Sequence, residues 1–208
     1  MKFQKILGAV ATFTVFFATS SAHALIEVKG GYSMFTTSPG ALNDNFAAAP
    51  KIAQLQGLSI DVMGNVPLMP VGLGVRYETL KRNETSGANG SEVDWKRTSI
   101  LINKRFIDTL IYLGPIATVS VASDFKYRST VNGVATDYKT DSAFTATVGV
   151  EAGAKLTIIR LGAEVGYLYA PMGELKTTAG VPVNNSGGSK LTFDMSGPYV
   201  RVLAGFGF

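Results

Sequence analysis

The sequence has no cysteine and only one histidine, His23, among its 208 residues. The lack of cysteine excludes disulfides, a thiol nucleophile and a cysteine-held lipid anchor. Charged residues make up only 16% of the chain, and its formal net charge is +4. The sequence contains no run of lysine or arginine. This composition argues against a nucleic-acid partner.

The first 24 residues are typical of a secretory signal peptide. Lys2 and Lys5 form a basic start, residues 6–17 carry no charge, and Ala22-His23-Ala24 fits the small-x-small cleavage pattern. A membrane-spanning helix is the alternative interpretation, but it needs about 20 apolar residues. We therefore predict a cleaved signal peptide at 1–24 and one mature domain at 25–208.

The predicted mature chain lacks the residues on which many catalytic sites depend. Once His23 is removed, it cannot form a Ser-His-Asp or Cys-His site, or a zinc site made of His and Cys. Gly72-x-Gly74 lacks the further glycine of a nucleotide motif, and it lies in a predicted strand. We expect no catalytic residue, no cofactor, no metal site and no enzymatic activity.

Alternation of apolar and polar residues recurs along the mature chain, which predicts β-strands. The alternating segments are 26–34, 58–63, 71–78, 97–105, 113–128, 144–155, 160–169 and 199–208. Long connections at 35–56, 81–94 and 171–190 alternate with short ones near 65–70, 107–109 and 156–157. Asn132-Gly133 predicts a tight hairpin that protrudes beyond the barrel. The pattern predicts an all-β, antiparallel up-and-down transmembrane barrel of eight strands.

One face of these strands carries charge and the other is apolar. In a transmembrane barrel the charges face the lumen, whereas in a soluble secreted ligand-binding barrel they face water. Periodicity does not separate the two, but the leader and the connection lengths favour the membrane. The predicted interior charge network consists of Glu27, Lys29, Asp61, Arg76, Glu78, Arg97, Arg105, Asp124, Lys126, Glu151, Lys155, Arg160, Glu164 and Arg201.

The last twelve residues are Gly197-Pro198-Tyr199-Val200-Arg201-Val202-Leu203-Ala204-Gly205-Phe206-Gly207-Phe208. This segment resembles the terminal strand of the small eight-stranded outer-membrane barrel families, of the OmpA-barrel, OmpX and OmpW type. The resemblance implies a place in the outer membrane of a Gram-negative bacterium, in contact with lipid and lipopolysaccharide. It also implies that the outer-membrane assembly machinery reads Phe206 and Phe208. No subfamily is identified.

These features predict a non-enzymatic outer-membrane protein with a structural or surface-interaction role, whose surface partner the sequence does not name. A narrow, porin-like channel for small or hydrophobic solutes is the alternative, and a soluble ligand-binding barrel is a second. The apolar loop at 41–49 is expected to pack over the barrel mouth or, as the resemblance to the OmpW type implies, to bind a hydrophobic molecule. Two aromatic girdles are predicted. The outer girdle would hold Tyr32, Tyr77, Trp95, Phe125, Tyr127, Phe144, Tyr167 and Tyr169, and the inner one Phe106, Tyr112, Phe206 and Phe208.

Overall fold

The structure is a computed structural model that describes residues 25–65, 71–141 and 143–208, so the predicted signal peptide at 1–24 lies outside the described residues. The strands and the helix follow one another along the chain. They are β1 (Leu25–Thr36), α1 (Gly40–Asn45), β2 (Gln54–Asn65), β3 (Gly72–Ser86), β4 (Asn89–Asn103), β5 (Ile107–Asp108), β6 (Ile111–Val131), β7 (Val134–Thr140), β8 (Ala146–Leu156), β9 (Ile159–Tyr169), β10 (Pro171–Met172), β11 (Leu175–Thr177), β12 (Phe193–Asp194) and β13 (Gly197–Gly207).

Eight of these strands close into an antiparallel barrel. Their order is β1-β2-β3-β4-β6-β8-β9-β13, and β13 pairs with β1 from Glu27 opposite Gly207 to Phe35 opposite Tyr199. Because the sheet closes on itself, the barrel has no free sheet edge. A sheet that crosses a membrane has to be closed in this way, because the hydrocarbon core contains no water to form hydrogen bonds with exposed backbone groups. The predicted all-β, eight-stranded fold is confirmed.

The connections divide the barrel into two ends. The outer end carries the long β1–β2 and β9–β13 connections and the β3–β4 and β6–β7 hairpins. The inner end carries residue 25, Phe208, the β4–β6 connection and the β8–β9 turn. The long connection predicted at 81–94 is wrong, because β3 and β4 continue through it to a two-residue turn at 87–88. α1 is six residues long and lies in the first outer connection. No helix within the described ranges combines the length and the apolar character needed to cross a membrane.

The structure places the charged face inside and the apolar face outside. Arg76 and Glu164 are at most 1% exposed, whereas Leu58 is 67% exposed and Val148 is 64% exposed. A soluble protein buries its apolar side chains and exposes its charges. This barrel has the opposite arrangement around its wall, which suits a lipid surrounding.

A β-bulge in β6 turns two of the predicted interior charges to the outside of the barrel. Ser99 of β4 pairs with Ser120, but Thr98 pairs with Ala122, so Val121 has no partner in β4. One extra residue reverses the direction of every side chain beyond it. Asp124 and Lys126 therefore point outward, with side chains 55% and 61% exposed, and the prediction that they face the lumen is wrong.

The girdle prediction is also wrong for four aromatic residues. The bulge turns Phe125 and Tyr127 inward, while Trp95 lies on the inward face of β4 and Tyr112 on that of β6. The other predicted girdle members are exposed on the outside of the barrel, and they are Tyr32, Tyr77, Phe106, Phe144, Tyr167, Tyr169, Phe206 and Phe208.

Beyond the barrel, part of the wall continues outward as a protruding sheet. It consists of residues 81–86 of β3, 89–94 of β4, 126–131 of β6, and the whole of β7 and β11. The hairpin between β6 and β7 turns at Asn132 (φ 52°) and Gly133 (φ 78°). Positive φ at both central residues is what this tight turn requires, and Asn-Gly supplies it with little strain.

Candidate functional site

The barrel lumen holds an outer charge group of three arginines and three carboxylates. Its members are Asp61, Arg76, Glu78, Arg97, Glu164 and Arg201, all of them buried. Arg76 is central, because its Nε and Nη2 donate to the two oxygens of Asp61, both at 2.8 Å. The same guanidinium donates to Glu164 at 3.1 and 2.8 Å. Arg76 therefore joins its neighbour on β2 to the far wall on β9.

Glu78 and Glu164 complete the outer charge group. Glu78 accepts hydrogen bonds from Arg97 and Arg201 and from the Ser33 hydroxyl at 2.9 Å. Arg201 also donates to Glu164 at 3.1 Å. Because three positive charges meet three negative ones, the group is neutral overall. Buried charges are tolerated when they are paired and hydrogen-bonded in this way.

Nearer the inner end lies a second set of charges, the inner charge group. It consists of Glu27, Lys29, Arg105, Asp108, Glu151, Lys155 and Arg160. Lys29 donates to Glu151 at 2.6 Å, and Arg105 donates to Glu27 at 2.6 Å. Asp108, which binds Lys155, was not predicted. It lies in the two-residue β5, which is too short for alternation to show.

Twelve of the fourteen predicted interior charges therefore lie in these two groups, and Asp124 and Lys126 do not. The inner group is less completely paired than the outer one. Among the described residues, three atoms of the inner group have no hydrogen-bonding partner, Arg105 Nε, Arg160 Nε and Glu151 Oε2, against one atom of the outer group, Arg97 Nε. The charges in the inner half of the lumen are thus less tightly connected by hydrogen bonds than those in the outer half.

Above the outer charge group, the mouth of the barrel is filled by an apolar cap. It consists of Phe35, Leu42, Ile52, Leu55, Leu80, Val93, Trp95, Phe125, Tyr127, Leu168, Ala170, Met172, Leu175, Leu191, Phe193, Met195 and Tyr199. Leu42 and Ile52 come from the first loop, which Asn43 holds by two 2.9 Å hydrogen bonds to the backbone of Ile52. That loop packs over the mouth.

Arg97 connects the cap to the charges beneath it. Its guanidinium carbon lies 5.0 Å from the ring centroid of Trp95 and 5.5 Å from that of Phe35. The same side chain donates to Glu78 in the outer charge group. A guanidinium over an aromatic face is attracted to it, so the cap and the charge group form one continuous filling.

Glycine pairs on the inner wall make room for two tyrosines. Gly153 lies opposite Gly162, and Gly149 lies opposite Gly166, on β8 and β9. A Cβ at Gly162 would meet the Tyr112 hydroxyl first, and a Cβ at Gly149 or Gly166 would lie 2.8 Å from the Tyr199 hydroxyl. The glycines therefore admit rings that fill the lumen between the strands.

Substituting Gly162→Ala is expected to lower the free energy of unfolding by about 1–3 kcal/mol, because the added methyl overpacks the lumen. Urea unfolding in lipid vesicles measures the loss. The matched double variant with Tyr112→Phe removes the atom that the methyl meets first, and it should recover part of the stability. An equal loss in both variants would show that the strand backbone, rather than Tyr112, sets the limit.

The outward face of the protruding sheet is charged instead of apolar. Arg128 forms ion pairs with Asp137 at 2.6 Å and with Glu92 at 3.6 Å. The hydrogen bond from Arg128 lowers the pKa of the Asp137 carboxyl. The side chains of Arg128, Glu92 and Asp137 are each about half exposed, and exposed charges require contact with water. This sheet therefore lies beyond the apolar band of the barrel.

Comparison with known proteins supports the fold alone. No protein-family model and no curated protein sequence matches the chain. Among solved structures it is similar to Ail, the attachment invasion locus protein of Yersinia pestis, with 11% identity, a TM-score of 0.57, and coverage of 89% of this chain and 99% of that one.

A major outer membrane protein from Thermus thermophilus is similar over 89% of this chain and 100% of that one, with 13% identity and a TM-score of 0.60. Neisserial surface protein A covers 90% of this chain and 98% of its own, at 12% identity and a TM-score of 0.44. The chain has the fold of the small eight-stranded outer-membrane β-barrels.

Proposed function

We propose that this chain is an integral protein of the bacterial outer membrane with a closed barrel and a structural or surface-interaction role. The observation that carries the proposal is the continuous filling of the lumen. The apolar cap lies directly over the outer charge group, and Arg97 contacts both. An eight-stranded barrel has room inside for side chains and little else, so the surfaces available to partners lie outside the lumen.

The outer wall supports residence in a membrane. On β8 the outward positions run from Ala146 to Leu156, with the exposed Phe144 just before them. From 144 to 156 the chain covers about 40 Å at 3.3 Å per residue. At the usual strand tilt of about 40° this is about 30 Å along the membrane normal. That height suits a hydrocarbon core, and it disfavours the soluble ligand-binding barrel.

A role without catalysis is supported by the state of the interior carboxylates. Glu78, Glu164 and Asp61 each accept hydrogen bonds from arginine and lie buried beneath the apolar cap, so they are not presented to a substrate. In the described part of the chain, no group of three His, Cys, Asp or Glu side chains is placed to hold a metal ion. The proposed role therefore rests on binding and on structure.

Conductance across a planar bilayer tests the closed barrel. The purified protein should show no steady, porin-sized current, because the cap and the outer charge group occupy the water path. A stable large conductance would contradict the proposal and would favour the narrow-channel alternative. The same bilayer preparation has to be run on a gel without boiling. The altered electrophoretic mobility of the folded barrel then verifies that the protein has inserted.

We also propose that the assembly machinery reads Phe208. Phe208→Ala should give a several-fold lower amount of heat-modifiable barrel in the outer membrane, measured on unboiled gels. Phe106→Ala is the matched control, because Phe106 is 70% exposed at the same inner end and Phe208 is 69% exposed. If the two variants assemble equally well, Phe208 contributes only as one more interfacial aromatic residue.

A further inference from the structure

Three lysines lie side by side on the outward face of the protruding sheet. Lys126 of β6 is directly opposite Lys139 of β7, and Lys139 is directly opposite Lys176 of β11. These three residues are the lysine trio. Directly opposed residues in antiparallel strands have Cβ atoms about 5 Å apart, and like charges in such positions are destabilising.

Neighbouring carboxylates form ion pairs with the outer two lysines of the trio and not with the central one. Lys126 binds Asp124 at 3.3 Å and Lys176 binds Asp141, whereas Lys139 makes no ion pair with any described residue. It is therefore an exposed cation between two others. A row of this kind is stabilised when an anion from outside the chain lies against it.

A surface cavity of about 300 Å³ lies beside the trio, and Lys126, Lys139 and Thr178 are among the residues that line it. Its carboxylates are already engaged within the chain. Arg128 binds Glu92 and Asp137, and Asp94 binds Lys81 at 3.5 Å. Lys139 is thus the charged group in this cavity that forms no ion pair with a described residue and remains available to a ligand.

The position of the trio along the barrel identifies the source of the anion. Below Lys139 the chain reaches Phe144, 60% exposed, and Tyr169 on β9 is 53% exposed. Aromatic side chains of this kind mark the boundary between hydrocarbon and headgroups. The lysines lie a few residues beyond that boundary, at the level of the lipid headgroups of the outer leaflet.

We propose that the lysine trio is a binding site for the phosphorylated headgroup of an outer-leaflet glycolipid. The inference rests on the proposed membrane residence of the barrel. The acyl chains of the lipid would lie along the apolar wall below Phe144, and a headgroup phosphate would sit against Lys139. The adjoining cavity is large enough for part of a sugar headgroup.

The test measures lipid binding by native mass spectrometry of the full-length mature barrel in detergent. The probes are bisphosphorylated lipid A and dephosphorylated lipid A with the same acyl chains. The test variant is Lys126→Gln/Lys139→Gln/Lys176→Gln. The control variant, Lys51→Gln/Lys104→Gln/Lys190→Gln, removes the same charge from exposed lysines outside the trio.

Wild type and control should bind the bisphosphorylated lipid at least about tenfold more tightly than the dephosphorylated one, since each lysine near a lipid surface contributes appreciably. The trio variant should lose that preference. A preserved preference in the trio variant, or none in the wild type, would overturn the proposal. Displacement of lipid A by inorganic phosphate at an equal phosphate concentration would overturn it too, by assigning the site to a free anion.

Two checks keep the outcomes separate. Heat-modifiable mobility must show that each variant is folded, and the single variant Lys139→Gln replaces the triple variant if the latter does not fold. A wild-type protein that fails to insert into bilayers would contradict the proposed membrane residence. A wild-type protein that inserts but does not distinguish the two lipids would contradict only the lysine trio.

Discussion

Replacing Arg76 by glutamine is expected to lower the free energy of unfolding by about 3–5 kcal/mol, the usual effect of removing one partner from a buried ion pair. Arg76 donates four hydrogen bonds of 2.8–3.1 Å to Asp61 and Glu164. Without Arg76, the outer charge group contains three carboxylates and only two arginines. Asp61 has no other salt bridge among the described residues, whereas Glu164 keeps Arg201.

Urea titration of the barrel in lipid vesicles measures this loss, with the fluorescence of Trp95, the one tryptophan of the chain, as a probe within the cap. Arg128→Gln is the control, because Arg128 also contacts two carboxylates but lies half exposed on the protruding sheet. Its removal should change stability little, since exposed ion pairs contribute weakly. Similar losses in both variants would contradict the buried network.

A second test separates cation loss from general disruption. The double variant with Asp61→Asn removes the carboxylate that depends most on Arg76. If the unpaired charge is the cause, the double variant should be more stable than the sum of the two single losses predicts. Strict additivity would place the effect of Arg76 in packing instead of charge.

Val150→Arg is expected to lower the free energy of unfolding from bilayers by about 2–4 kcal/mol, the range for arginine on the lipid face near the membrane midplane. Val150 is 45% exposed on the outside of β8, opposite Pro115 and Val165. It lies midway between Phe144 and Leu156, and therefore near the centre of the apolar band. Equilibrium unfolding in vesicles of known thickness measures the change.

Val134→Arg provides the matched control for this prediction. Val134 is 70% exposed, next to the turn of the β6–β7 hairpin, on the protruding sheet beyond the apolar band of the barrel. The same substitution should there have almost no effect. Two small and equal effects would favour the soluble ligand-binding barrel, in which both valines would be in contact with water.

Much of the fold is predictable because strand alternation is local. Each of the eight alternating segments corresponds to one barrel strand, since a period of two depends only on neighbouring residues along the chain. The β6–β7 hairpin follows from Asn132-Gly133 for the same reason. Neither feature depends on a residue distant in sequence.

The bulge at Val121 shows where local reasoning fails. Residues 119–127 continue a plausible alternation through the bulge, so nothing in the sequence marks the reversal of Phe125 and Tyr127. The extra residue is defined only by the pairing of β6 with β4. The apolar cap was likewise predicted only as a loop packing over the mouth, because its members come from loops and strands far apart along the chain.

By itself, the sequence determined the strands, their antiparallel order and, outside the segment beyond the bulge in β6, which residues share a face, because these follow from periodicity and connection length. Only the tertiary structure decided that the charged face lies inside and which charges meet. Asp61 with Arg76, and Glu78 with Arg97, are register neighbours on adjacent strands. Lys29 with Glu151, and Arg76 with Glu164, join strands that do not pair. Those contacts exist because closing the sheet brings distant strands within reach of one long side chain across a narrow lumen.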